Sequence, residues 1–165
     1  MKRILTLSFL LASTFALFAQ NDTANNYVNR FTSIPSFKIN AVPDSSAFTN
    51  QNLKTNTPFI IMFFSPDCEH CQKETKEILA YKEELKNVQI LMVSPASYIE
   101  IKNFYDAYGL SAMPNVKLGK DTDYKLGSIY KLRTFPSLFV YDNRGTLAKA
   151  FVGNIGVPAI LDAVK

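Results

Sequence analysis

The chain has 165 residues, enough for one domain with a substantial core and too few for two. It is 47% hydrophobic, with 13 Phe, eight Tyr and no Trp, and carries a formal net charge of +4. That charge is spread thinly, with no basic run and no basic–aromatic interleaving, so nothing in it speaks for a nucleic-acid partner.

Residues 1–20 read MKRILTLSFLLASTFALFAQ. Lys2 and Arg3 form a positive start, residues 4–18 an apolar run, and Ala19 a small residue at a candidate cleavage point, the pattern of an export signal. A cut after Ala19 leaves Leu17 at the third position before it; a cut after Ala16, with Thr14 behind it, is the alternative. The run is short for a membrane anchor, which takes about 20 apolar residues. No cysteine follows it to carry a lipid. The expected organisation is therefore a signal peptide at 1–19, a polar, Asn-rich leader at 20–33 and one domain at 34–165, with no stable membrane insertion after cleavage. Losing Lys2 and Arg3 leaves 16 basic against 14 acidic side chains.

Residues 34–58 hold two prolines before Pro58 and an alternating Phe37/Ile39 pattern, which predicts an edge hairpin. Residues 59–64, FIIMFF, are continuously apolar between prolines, as in a central strand buried on both faces. SPDCEHCQKE follows at 65–74, with both cysteines and the one histidine of the chain. Asp67 is a candidate N-cap for the next helix. At about 100° per residue, Cys71, Glu74, Ile78, Tyr81 and Leu85 share one face of that helix. Lys73, Lys76, Glu77, Glu83, Glu84 and Asn87 lie opposite. Residues 88–93 predict a second buried strand, and 96–108 a helix stopped by Gly109. Residues 113–123 read as irregular and 124–132 as a short helix. SLFVYD and TLAKAFVG, joined by Asn143-Arg144-Gly145, form a hairpin pattern, and 157–165 a closing helix with Pro158 in its first turn. The order β-α-β-α-(α)-β-β-α implies an α/β sandwich with a mixed sheet.

Three chemistries compete for the cysteines. A c-type haem needs His directly after the second cysteine, where Gln72 stands. Zinc normally takes four ligands, or three at a catalytic site, and only Cys68, Cys71 and His70 are soft donors here. Copper(I) on two thiolates stays open, without further Met or His ligands to support it. Dithiol–disulfide exchange fits best. A structural bridge across so short a loop removes little chain entropy, so reactivity is the better reason for the pair. After a buried strand and at a helix start, the helix dipole stabilises a thiolate. Cys68, at the exposed first turn, would attack a partner disulfide, and Cys71, one turn later and inward, would resolve the mixed disulfide.

The strand–CxxC–helix, with a later proline turn and hairpin, resembles the thioredoxin fold, over roughly residues 34–165. FFSPDCEHCQKE and RTFPSLFVYDNRG are most similar to the active-site segment and proline loop of exported TlpA/ResA-like thiol–disulfide oxidoreductases. The resemblance implies that Pro136 is a cis-proline facing the disulfide, and X-Pro bonds do reach the cis form. It also implies that Phe135 offers backbone hydrogen bonds to a bound substrate chain. Two departures stand out. Asp67 replaces a Trp common before the first cysteine, and Met62 stands where cytoplasmic thioredoxins hold a buried Asp. Proton handling at Cys71 then falls to Glu74, which the helical wheel places beside it and which exported relatives share. A half-buried carboxyl there suits the proton of the resolving thiol. The alternative is a surface glutamate paired with Lys73 or Lys76.

The direction of electron flow is left open. His70, if charged, stabilises the Cys68 thiolate and favours an oxidant or isomerase; Asp67 and Glu69 oppose it, and the resemblance favours a reductant. A thiol peroxidase is a further alternative, with Ser65 a weak substitute for a Thr three residues before the attacking cysteine; a Cu(I)-binding module is another. The expected partners are disulfide- or dithiol-bearing proteins and a redox donor or acceptor outside the cytoplasm. No Gly-rich phosphate loop signals a small-molecule cofactor.

Overall fold

A computed structural model of the protein describes residues 32–164. The expected signal peptide and most of the leader lie outside them. Seven strands form one mixed sheet: β1 (Lys38–Val42), β2 (Ala47–Thr49), β3 (Phe59–Phe63), β4 (Gln89–Ser94), β5 (Val116–Lys120), β6 (Ser137–Tyr141) and β7 (Leu147–Val152), in the spatial order β2-β1-β5-β4-β3-β6-β7. The parallel pairs β3–β4 and β4–β5 are joined through α1 (Glu69–Ala80) and α2 (Tyr98–Ala107). A parallel pair needs such a crossover, because its two strands start at the same end of the sheet. The other four pairings are antiparallel, so hairpins close both sides. Two shorter helices, α3 (Lys125–Tyr130) and α4 (Val157–Ala163), complete the thioredoxin-like α/β fold.

The central run behaves as its composition requires. Successive side chains of a strand point to opposite faces, so Ile60, Met62 and Phe64 join one buried cluster and Phe59, Ile61 and Phe63 the other. The first cluster is covered by Ile78 of α1, Ile101 and Phe104 of α2, and Val157 and Ile160 of α4; the second by Leu126 and Tyr130 of α3.

The irregular segment expected at residues 113–123 is not one. Residues 113–123 contain a central strand, β5, paired with β1 and β4. Val116 and Leu118 are buried while Lys117 is exposed, and Gly119 lies under β1. A Cβ at Gly119 would run into Ile39 Cδ1 and come within 2.8 Å of the Asn40 carbonyl oxygen, so glycine is what this close approach demands.

Candidate active site

The C-terminal end of β3 delivers the chain into residues 64–68. Phe64 N donates to Val93 O at 2.9 Å, prolonging the β3–β4 ladder, and Cys68 N donates to Ser65 O at 3.1 Å, closing a tight turn. Gln72 Nε2 reaches back to Pro66 O at 2.9 Å and braces that turn from the helix. The helix N-cap is Cys68 and not Asp67: Cys68 has an extended backbone, and its Sγ accepts from Cys71 N at 3.4 Å. The Cys68 sulfur thus occupies the place of a capping oxygen and receives an otherwise unsatisfied amide of the first turn. Asp67, one residue earlier, is exposed.

The two thiols are free and differ sharply in setting. Cys68 is partly exposed, while Cys71 is 0% exposed. Burial first, and then the hydrogen bond that its S–H gives to Cys68, push the Cys71 thiol far above its ordinary value of 9.0. It holds its proton at neutral pH. Thr75 Oγ1, also buried, donates to the Cys71 carbonyl at 2.8 Å.

The proline loop meets this pair. The Phe135–Pro136 peptide bond is cis, and Cys68 Sγ lies 3.7 Å from the Phe135 carbonyl oxygen as a hydrogen-bond donor. Phe135 is half-buried between the two core clusters, and Pro136 is buried. Ser137 Oγ donates to Thr134 O at 2.8 Å and holds the loop where it enters β6.

Glu74 lies deeper than expected. It is 0% exposed, and its Oε2 accepts from Asn154 Nδ2, from Ile155 N at 3.1 Å and from Gly156 N at 3.4 Å. Lys73 and Lys76, its possible surface partners, are exposed on the opposite face. The structure therefore brings Cys68, Cys71, Glu74, Phe135 and Pro136 together at one end of the sheet. Asp67, Glu69 and His70 stand exposed around the rim, with no ion pair or side-chain hydrogen bond among the described residues. Nowhere among the described residues do three His, Cys, Asp or Glu side chains converge as a metal site would require. Two cavities of about 440 and 630 Å³ have other linings, Phe48, Leu53 and Lys54 in the first and Phe37, Leu126 and Ile129 in the second.

Sequence reasoning missed Asn154 and the bracing role of Gln72. The glycines at 153 and 156 are the one local signal of a special turn there.

Comparison with known proteins bears on the fold and the family. Residues 32–150 match the AhpC/TSA family. No curated protein is significantly similar in sequence. The fold is shared with a secreted Mycobacterium tuberculosis disulfide oxidoreductase homologous to E. coli DsbE, at 17% identity and a TM-score of 0.65, covering 77% of this chain and 92% of that one. It is also shared with the pneumococcal exposed lipoprotein thioredoxin Etrx1 from Streptococcus pneumoniae, at 20% identity and a TM-score of 0.59, covering 78% and 96%. Peroxidoxin BcpB from M. tuberculosis aligns at 12% identity and a TM-score of 0.67, covering 79% and 92%. The chain belongs to the AhpC/TSA family, a thioredoxin-fold family of oxidoreductases.

Proposed function

We propose that this protein is an exported thiol–disulfide oxidoreductase that exchanges two electrons with protein partners through Cys68 and Cys71, in a direction that its reduction potential decides. The observation that carries the reading is the asymmetry of the pair: a partly exposed sulfur at the helix cap and a fully buried, strongly protonated thiol one turn inward.

In the reducing direction, the Cys68 thiolate attacks a partner disulfide. A mixed disulfide forms, the partner's S–S bond breaks, and the first partner sulfur leaves as a thiolate that takes a proton from water. Cys71 then passes its proton to Glu74 and attacks Cys68 Sγ. The Cys68–Cys71 bond forms as the mixed disulfide breaks, and the second partner sulfur departs. The dithiol has lost two electrons and the partner has gained them. The Phe135 carbonyl and Pro136 border the attacking sulfur and supply the edge against which a partner chain docks. Asp67 and Glu69 oppose His70 in setting the potential.

Export is inferred from the signal pattern in residues 1–19, with support from the secreted and surface-exposed proteins that share the fold. The test is reduction of insulin disulfides with dithiothreitol as electron source, together with the reduction potential in glutathione buffers. A reductant gives catalysed insulin reduction and a potential near or below roughly −250 mV; a value above about −190 mV would instead mark an oxidant or isomerase. Rapid peroxide consumption without insulin reduction would favour a peroxidase, the activity named for BcpB.

A further inference from the structure

The carboxyl of Glu74 is held one-sidedly. Three donors converge on Oε2, whereas Oε1 is the only buried side-chain nitrogen or oxygen among the described residues without a hydrogen-bond partner. Buried acceptors are rarely left open, and one that is left open asks for a reason. All three donors come from one short turn after β7. Its ends, Gly153 and Gly156, have φ of 85° and 79°, a left-handed backbone that side chains other than glycine rarely adopt. The same turn is tied to the proline loop, because Gly153 N donates to Pro136 O at 2.8 Å. Its backbone is thus anchored beside the attacking sulfur, and the two backbone donors to Glu74 come with that anchoring. The third donor is a side chain. It alone can be changed while the turn is kept.

We propose that Asn154 is a positioning residue of this redox site: by fixing Glu74 Oε2 it presents Oε1 as the oxygen that receives the Cys71 proton. The inference rests on the reading that Glu74 takes that proton. The step balances as a simple transfer, in which the Cys71 S–H bond breaks, an O–H bond forms at Oε1, and the freed thiolate attacks Cys68 Sγ. Cys71 and Glu74 are three residues apart on one helix face, and such positions are neighbours. Without the amide, two backbone donors remain on Oε2 and the carboxyl is held less firmly in the orientation that aims its open oxygen.

The experiment mixes the reduced, full-length protein with excess 5,5′-dithiobis(2-nitrobenzoate). The first coloured thiolate released reports attack by Cys68, and the second reports resolution by Cys71. Asn154→Ala is expected to slow the second phase roughly tenfold, a fraction of what general-base catalysis supplies, and to leave the first phase unchanged. Asn154→Asp, which replaces the donor by an acceptor, is expected to behave like Asn154→Ala, and Asn154→Ser to recover part of the rate. An Asn154→Ala protein whose second phase matches wild type, while Glu74→Gln slows it, overturns the role of Asn154 and leaves that of Glu74 standing. A second phase unchanged in Glu74→Gln as well overturns both. Equal slowing of both phases reduces Asn154 to a structural residue and likewise overturns the proposal. Should Asn154→Ala fail to fold, Asn154→Gln keeps a donor but displaces it by one carbon, and the same comparison of phases decides.

Discussion

The two faces of the sheet use the same strands and bury opposite kinds of interior. On one face Phe37, Phe59, Phe63, Phe139, Tyr130 and Tyr141 pack as an aromatic layer, with Tyr130 and Phe139 ring centres 4.4 Å apart. Its polar atoms are closed off. The Tyr130 and Tyr141 hydroxyls meet at 2.6 Å, and the two carboxyl oxygens of buried Asp121 accept from Leu126 N and Gly127 N at the start of α3. On the other face, among Met62, Phe64, Ile78 and Val157, lie the Cys71 thiol and a carboxyl with one open oxygen. The aromatic face is backing that holds β3 and β6 in place. On the proposal made above, the incomplete face is where the Cys71 proton moves. Native interiors break the rule of complete satisfaction at the few places where that has a use.

This contrast can be broken from either side. The largest effect is expected from Phe63→Ala on the aromatic face, which should cost about 3–5 kcal/mol of stability, read from denaturant unfolding. Among molecules that remain folded, the ratio of Cys68 attack to Cys71 resolution should stay as in wild type. A shift in that ratio would mean that the backing takes part in the chemistry.

Alkaline unfolding gives a smaller and more selective comparison. Burial raises Tyr130 well above its ordinary value of 10.0 and Tyr141 to about 12, as it raises Cys71. The folded protein holds these protons more tightly than the unfolded chain, so stability is full below about pH 9 and declines as pH rises. The decline should begin near pH 9 through Cys71 and steepen above about pH 10 through the tyrosines. Denaturant melts of the reduced protein across this range should show both segments, and Cys71→Ala should lose only the first. A first segment that survives the substitution would show that Cys71 is not the group responsible.

The sequence shows most clearly what depends on local pattern. The β3 run is legible because six apolar residues between prolines fit little else. The inward face of α1 follows from its 3.6-residue period, and Cys71, Glu74 and Ile78 are buried as the wheel places them; the helix stops at Ala80, so Tyr81 is only partly buried and Leu85 is buried from the turn beyond the helix. Strand β5 is hidden because VKLGK joins a glycine to two lysines, and that glycine makes sense only once β1 crosses it. Asp67 yields the cap to Cys68 because the tight turn from Ser65 places the sulfur, and not the carboxyl, over the free amide of Cys71. Asn154 is silent for a related reason. Its partner is 80 residues away in the chain, and no local pattern encodes the meeting.

The central claim is that Cys68 attacks and Cys71 resolves. The most direct measurement is to react Cys71→Ser and Cys68→Ser, each as the full chain, with a disulfide-bridged peptide and to weigh the products by intact-protein mass spectrometry. The account predicts a mixed disulfide on Cys68 that accumulates in Cys71→Ser, and no adduct on Cys71 in Cys68→Ser over the same time. Adducts forming at comparable rates on both variants, or only on Cys71, would contradict it.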